Sequence, residues 1–272
     1  MYNIIRVFPR RTSYTPTDEY AFVGDPPLVR PEARDVHVSV TFTWDIPEAE
    51  RLAQAWSQYY QYVSIGGPAI GHYTYDKFEP SVYVKEGVTF TTRGCNKWCP
   101  WCLVPRREGK LRALNFKPGY IIQDNNLLQA SKYHIRDVFT MLQKQKKAAR
   151  FVGGLDATLI DNWVAGHLAE LRIGEVFLAA DTDSSLKPLE KAVSKLQFLS
   201  QRQLRCYVLL GFAGQTIEEA QRRLEKVWEV GCLPFAQLYQ PPDRWIDYPK
   251  EWKDLARTWS RPAAMFAIHK EE

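Results

Sequence analysis

Apolar and polar positions alternate with a period of two along "VHVSVTFTW" (36–44), and its β-branched residues predict a strand. Beyond it, Leu52, Trp56, Tyr59 and Tyr60 give an apolar face to a helix predicted over about 47–60. Asp45 and Glu48 have the spacing of a capping box at its start. "YVSIGGPAIG" (62–71) then reads as a short strand ending in a glycine turn. Residues 1–35 are rich in proline, with "TPTDEY" and "GDPPLVRPE" as turn formers, and are predicted to be irregular. The expectation is a small N-terminal α/β subdomain over 1–86.

From residue 87 the pattern becomes regular. Short apolar runs predict strands at 87–92, 119–124, 150–154, 175–180, 204–211 and 234–239. Amphipathic helices are predicted at 131–147 (Ile135, Val138, Phe139, Leu142), 185–199 (Leu186, Leu189, Val193, Leu196) and 216–230 (Leu224, Val227, Trp228). Thr216 and Glu219 form a capping-box pair at the start of the third. Strands alternating with helices imply a parallel sheet with right-handed crossovers. Six units are too few to close an eight-fold barrel, so the predicted fold is α/β, an open partial (βα)6 barrel over 87–240. Residues 241–272, "DRWIDYPKEWKDLARTWSRPAAMF" included, read as a short helical tail packing on the barrel through Trp and Phe anchors.

Composition changes this picture little. Hydrophobic residues make up 45% and charged residues 25%, as in ordinary globular proteins. No apolar run approaches the ~20 residues of a membrane span. The opening "MYNIIRVFPRRTSYTP" has no apolar segment followed by a small-residue cleavage site. Five unevenly placed cysteines do not suggest a disulfide framework. The expectation is a cytoplasmic protein with no membrane partner. The net charge is +5, and basic residues crowd into 106–117 and 144–150, read as a solvated face with a patch for an anionic partner as the alternative.

In parallel α/β sheets the chemistry gathers at the carboxyl ends of the strands. Those positions hold Cys95 to Cys102, Asp124 to Asn126, Asp156, Asp181 and Asp183, Gly211 to Thr216, and Tyr239. The cysteines have C-x3-C-x2-C spacing, and soft thiolates suit iron–sulfur clusters and zinc. A structural zinc site needs four closed ligands, and neither His72 nor His134 forms a paired motif with the cysteines. Three thiolates on a cubane cluster leave one iron with open coordination, as catalysis needs. Pro100 breaks any helix through the motif, and Trp98 and Trp101 are expected to shield the metal from water.

"TTRGCNKWCPWC" (91–102) resembles the cluster motif of radical S-adenosylmethionine (SAM) enzymes. It looks most like the branch that contains methylthiotransferases and cobalamin-dependent members, in which an arginine and a glycine commonly precede the first cysteine, as Arg93 and Gly94 do here. The resemblance covers roughly residues 87–240. It implies that Cys95, Cys99 and Cys102 hold a [4Fe–4S] cluster whose open iron chelates SAM. A flavodoxin- or ferredoxin-like donor then supplies the electron that releases a 5′-deoxyadenosyl radical.

By the same resemblance, Asp124, Asn125 and Asn126 lie near the methionyl amine, where the family's Gly-Gly-Glu pattern is not kept. Asp156 reaches SAM or substrate, Asp181 the ribose hydroxyls or substrate, and Tyr239 lies at the last strand end. "VLLGFAGQT" (208–216) resembles the G-x-P-G-E-T loop, with Ala213 and Gln215 in place of proline and glutamate. Gly211 and Gly214 there allow close approach of the adenosyl group. The bland alternatives are helix capping by Asp124 and Asp183 and a simple turn at Gly153 and Gly154. Beyond the cluster no catalytic residue is assignable.

The first 86 residues resemble a truncated cobalamin-binding unit. The D-x-H-x-x-G signature is absent, and Gly66-Gly67-Pro68-x-x-Gly71 is not a nucleotide fingerprint, so no cobalamin is expected. Cys206 and Cys232 lie among apolar residues and read as core. They are too few to hold a second cluster, which argues against methylthiolation. The expected function is radical SAM catalysis on an unidentified substrate. The alternative is a non-catalytic nucleic-acid-binding module stabilised by zinc or a cluster.

Overall fold

The computed structural model describes residues 4–70 and 80–269. Gly71 and His72, named above, lie outside the described residues. The chain divides into two compact units, Met1–Val88 with Arg106–Gly109 and Thr89–Pro105 with Lys110–Glu272.

The first unit carries a four-stranded sheet of β1 (Ile4–Phe8), β2 (Ala21–Val23), β3 (Asp35–Ser39) and β4 (Tyr62–Gly66), in the order β2-β1-β3-β4. Every adjacent pair is parallel. Residues 1–35 are therefore not irregular throughout. In β1, Ile5 and Val7 point to the core, an alternation short enough to be hidden by the prolines that follow. Helix α1 (Ile46–Ser57) closes this core with Leu52 and Trp56, both fully buried with Val36 and Val38. Asp45 precedes α1 but makes no capping bond through its side chain; it pairs with Arg10 instead.

The main sheet, which lies in the second unit apart from Val88 at its boundary, consists of β5 (Val88–Thr89), β8 (Ile121–Ile122), β9 (Ala149–Phe151), β10 (Ile173–Ala179), β11 (Leu204–Leu210) and β12 (Leu233–Leu238). These six strands lie side by side in chain order, and the pairs from β8 to β12 are parallel. Helices α3 (Lys132–Gln143), α4 (Asn162–Ala169), α5 (Leu186–Lys195) and α6 (Ile217–Glu229) supply the four crossovers from β8 to β12. This is an α/β architecture built on a six-stranded parallel sheet. Along β11, Leu204, Cys206, Val208 and Leu210 are buried in turn, and Arg205, Tyr207 and Leu209 are half-buried between them. The buried set joins Val138, Phe139, Leu168, Leu189 and Leu224 of the helices in one core. Cys206 and Cys232 are core residues, both fully buried.

Local chemistry explains the boundaries. Thr216 and Glu219 do form the reciprocal capping box of α6. Ser131 caps α3 by accepting from the His134 N–H at 3.3 Å. The strand expected at 87–92 breaks into β5 and β6 (Thr92–Arg93), because the amides of Thr91 and Thr92 bond a side chain rather than a ladder. β6 pairs antiparallel with β7 (Arg112–Ala113), and the residues between them contain α2 (Val104–Glu108). The tail is two helices, α7 (Lys250–Thr258) and α8 (Pro262–Ile268), not one. Pro262 has no amide to continue α7 but suits the first turn of α8. Trp252, Leu255, Trp259 and Phe266 pack the tail on the second unit's core.

Candidate functional site

The cysteine segment leaves the end of the first strand of the sheet, and the two-stranded ribbon β6–β7 fixes its base. Leu114 N–H donates to Thr91 O at 2.8 Å just below. Asn96 ties the loop down on two sides. Its amide donates to Gln129 Oε1 at 2.8 Å, and its Oδ1 accepts from the Leu111 amide at 3.0 Å. Pro100 then sits second in a tight turn closed by the Cys102 N–H on Cys99 O at 3.0 Å. A helix through the motif is thereby replaced by a turn, and all three thiols are half-buried.

Burial pushes the Cys99 thiol up, and the neighbouring Cys102, Asp181 and Cys95 add to this against Lys97. The three sulfurs therefore share one local field. They are not drawn into a closed ligand group: among the described residues no three His, Cys, Asp or Glu side chains converge as a metal would hold them. Trp98 does not shield the thiols. With Asn96 anchored on one side and the turn at Pro100 on the other, its side chain faces outward and is 70% exposed. Trp101 is half-buried and meets Phe212 edge-on at 5.4 Å, and Phe212 meets Tyr239 edge-on at 4.9 Å.

Asp124, at the end of β8, is 1% exposed. Its Oδ1 accepts the amides of Thr91 at 2.6 Å and Thr92 at 3.0 Å, and its Oδ2 accepts the Thr91 hydroxyl. Burial pushes this carboxyl up despite those bonds. Asp124 neither caps a helix nor faces the cysteines; it fixes the root of their loop. Gly153 makes room for it, since a Cβ there would meet the Asp124 carbonyl oxygen at 2.0 Å. Asn125 is half-buried.

Asn126 does reach the cysteines. Its Nδ2 lies 3.9 Å from Cys95 Sγ and donates to Asp156 Oδ2 at 3.3 Å. Its Oδ1 is buried and has no hydrogen-bond partner among the described residues. Asp156 caps the turn 157–159, accepting from the Thr158 amide at 3.1 Å and hydroxyl at 2.6 Å. It also pairs with Lys97 Nζ at 2.7 Å, which ties the cysteine loop to the end of β9. Burial alone would raise the Asp156 carboxyl, but Lys97, Thr158 and Asn126 together hold it below its usual range.

At the next strand end Asp181 accepts the Leu209 amide at 3.1 Å, and burial pushes its carboxyl up. Arg223 of α6 joins the ends of β10 and β11, donating to Asp181 O at 2.8 Å, to Asp183 Oδ1 at 2.9 Å and to Leu209 O at 3.3 Å. Asp183 therefore pairs with Arg223, and Thr182 and Ser185 make the capping box at this turn. In the 211–216 loop, Gln215 Oε1 accepts the Gly211 amide at 3.0 Å, and its Nε2 is buried without a partner among the described residues. Gly211 has φ +75, and a Cβ there would meet Tyr248 Cε1 at 2.6 Å. Its bare α-carbon is thus used by Tyr248, whose hydroxyl donates to Tyr239 O at 2.9 Å. Gly214 has open space where its Cβ would be.

The chain matches no protein-family model and no curated protein.

The structure thus brings Cys95, Asn126 and Asp156 into one polar network, and Cys99 within the field of Asp181. It turns Asp124 and Gly211 to internal bracing. Sequence reasoning passed over Lys97, Asn96, Arg223 and Tyr248. Lys97 carried a signal, as the one cation in the C-x3-C spacer, whereas the others are fixed by long-range contacts with no local pattern.

The donor set fits a thiolate-bound cluster in its chemistry. Three partly exposed thiols lie on one loop at the end of a parallel strand. Asn126, whose Nδ2 reaches the first, has a buried Oδ1 that lacks a donor among the described residues, which an ammonium group would satisfy.

Proposed function

We propose that the chain is a radical SAM enzyme, its six-stranded sheet an open partial (βα)6 barrel. The observation that carries this reading is the placement of Cys95 beside Asn126, which in turn bonds Asp156, the two being polar residues that follow the next two strands of a sequentially ordered parallel sheet. Cys95, Cys99 and Cys102 are the ligands of a [4Fe–4S] cluster. When bound, the cluster and SAM supply reductive cleavage of a sulfonium, for hydrogen abstraction or radical group transfer.

The chain's own residues position and enclose. Asn126 Oδ1, buried without a partner among the described residues, would accept a hydrogen bond from the ammonium group of SAM. Asp156 and Asp181 offer carboxylates to the rest of the cofactor or to substrate, with Lys97 setting the charge of the first. Gly214 gives backbone access, and Trp101, Phe212 and Tyr239 form an aromatic wall that excludes water. The electron comes from a flavodoxin- or ferredoxin-like donor, in the cytoplasm, and the substrate is a molecule still to be identified.

The test is anaerobic purification followed by iron and sulfide analysis. The expected protein is brown, holds about four irons and four acid-labile sulfides, and releases 5′-deoxyadenosine from SAM after reduction. Colourless protein with a single zinc and no SAM cleavage would overturn the proposal in favour of a zinc-stabilised binding module.

A further inference from the structure

A second feature of the sheet lies at the opposite ends of its strands. A cleft of about 570 Å³ opens where β11 and β12 begin, lined by Arg202, Arg205, Leu233, Pro262, Ala263 and Phe266. That size falls within the range of small-molecule sites, about 300–1,000 Å³. The walls from β12 and α8 are apolar, and among the described residues the lining contains no carboxylate.

Both of its cations lie over aromatic rings. Arg205 is half-buried, with its guanidinium over the faces of Phe177 at 5.3 Å and Phe235 at 5.6 Å. Its Nε is shut off from solvent and has no hydrogen-bond partner among the described residues. Glu175, whose charge acts on it, is already bound by Arg150 Nε at 2.6 Å. Arg202 stands at the mouth, its guanidinium 5.1 Å from the Phe266 ring.

Ring faces offset part of the cost of burying a guanidinium, but they satisfy none of its N–H donors. A charged donor set held half-buried beside open space has its natural complement in a carboxylate, which guanidinium recognises through a pair of parallel bonds.

We propose that this cleft binds a small organic carboxylate, its anionic group on Arg205 and Arg202 and its apolar body against Leu233, Pro262 and Phe266. The site is separate from the cysteine loop, so it stands or falls independently of the cluster.

Calorimetric titration of the full chain with benzoate, in iron-free and iron-loaded protein, tests it. The expected result is saturable binding in both forms and none with benzamide, which keeps the shape and lacks the charge. Arg205→Met is expected to weaken benzoate about tenfold or more, the loss of a charge-assisted pair. Arg202→Gln, at an exposed position that leaves the core untouched, weakens it by a smaller factor. Failure of wild-type protein to bind benzoate, equal binding of benzamide, or unchanged affinity in both variants would each overturn the proposal. Inorganic phosphate displacing benzoate at equal concentration would overturn the apolar-bodied ligand.

Discussion

Asp124 holds Thr91 with both carboxylate oxygens, one on its amide at 2.6 Å and the other on its hydroxyl. The contact joins the end of the second strand of the sheet to the root of the cysteine loop. Asp124→Ala leaves the amides of Thr91 and Thr92 without their buried acceptor, and an unsatisfied buried group of this kind costs about 1–3 kcal/mol. The expected outcome is a lower urea midpoint, together with less iron retained on reconstitution. A variant with wild-type values for both would refute the bracing role. Gly153→Ala is expected to be more severe, because its Cβ would press on the Asp124 backbone rather than on a flexible side chain.

The five cysteines separate into two chemical classes. Cys95, Cys99 and Cys102 are half-buried on one loop, whereas Cys206 and Cys232 are fully buried in the core. Burial pushes the Cys206 thiol far up, which keeps it protonated and unfit as a ligand. Cys99→Ala is therefore expected to abolish both the colour and the release of 5′-deoxyadenosine. Cys206→Ala keeps the iron content of the parent. Equal iron in the two variants, measured on anaerobically reconstituted protein, would sink the ligand assignment.

Much of the second unit was legible from its pattern. Buried parallel strands are short apolar runs, and helices packed on one side show a single apolar face; 175–180, 204–211 and 234–239 resolve almost as predicted. The strand at 87–92 did not survive intact, because a carboxylate more than thirty residues away captures its amides. No local window contains that information. β1 and β2 were masked by the prolines around them, which mark turns correctly but say nothing of the short runs between. At the site, the cysteines and the strand-end residues were legible because spacing and strand ends are local. Which of them face one another was not: Asn126 and Asp156 meet, Asp124 turns inward, and Trp98 turns outward.

Gly211 and Tyr248 occupy a single space. The glycine has φ +75, and its missing Cβ leaves room for the tyrosine ring at 2.6 Å from where that atom would be. Gly211→Ala is expected to destabilise the protein by about 1–3 kcal/mol, from the left-handed backbone and the clash together. Tyr248→Phe removes the 2.9 Å bond to Tyr239 O and costs about 1 kcal/mol. Because Tyr248→Ala empties the space, the Gly211→Ala penalty should shrink in that background. A double-mutant cycle of urea unfolding measures this coupling. Strict additivity would show that the two residues do not share the space.

In the first unit, His37 of β3 shares a 2.7 Å hydrogen bond with the Tyr83 hydroxyl and stacks on its ring. Burial pushes its imidazole below 6.5, and the nearby Asp35 only partly opposes this. The sign follows from proton counting. Between the folded value and 6.5 the unfolded chain binds the proton more readily than the folded one, so stability rises with pH through that window. The contribution is complete above 6.5 and is lost as the pH falls through the lowered folded value. Urea midpoints at pH 7.5 and pH 5.5 should therefore drop for the parent and drop less for His37→Phe, which keeps the ring stacking and cannot titrate. The comparison is of slopes, so a uniform loss of stability from the missing Tyr83 bond does not disturb it. An equal drop in both proteins would show that His37 does not carry the pH dependence.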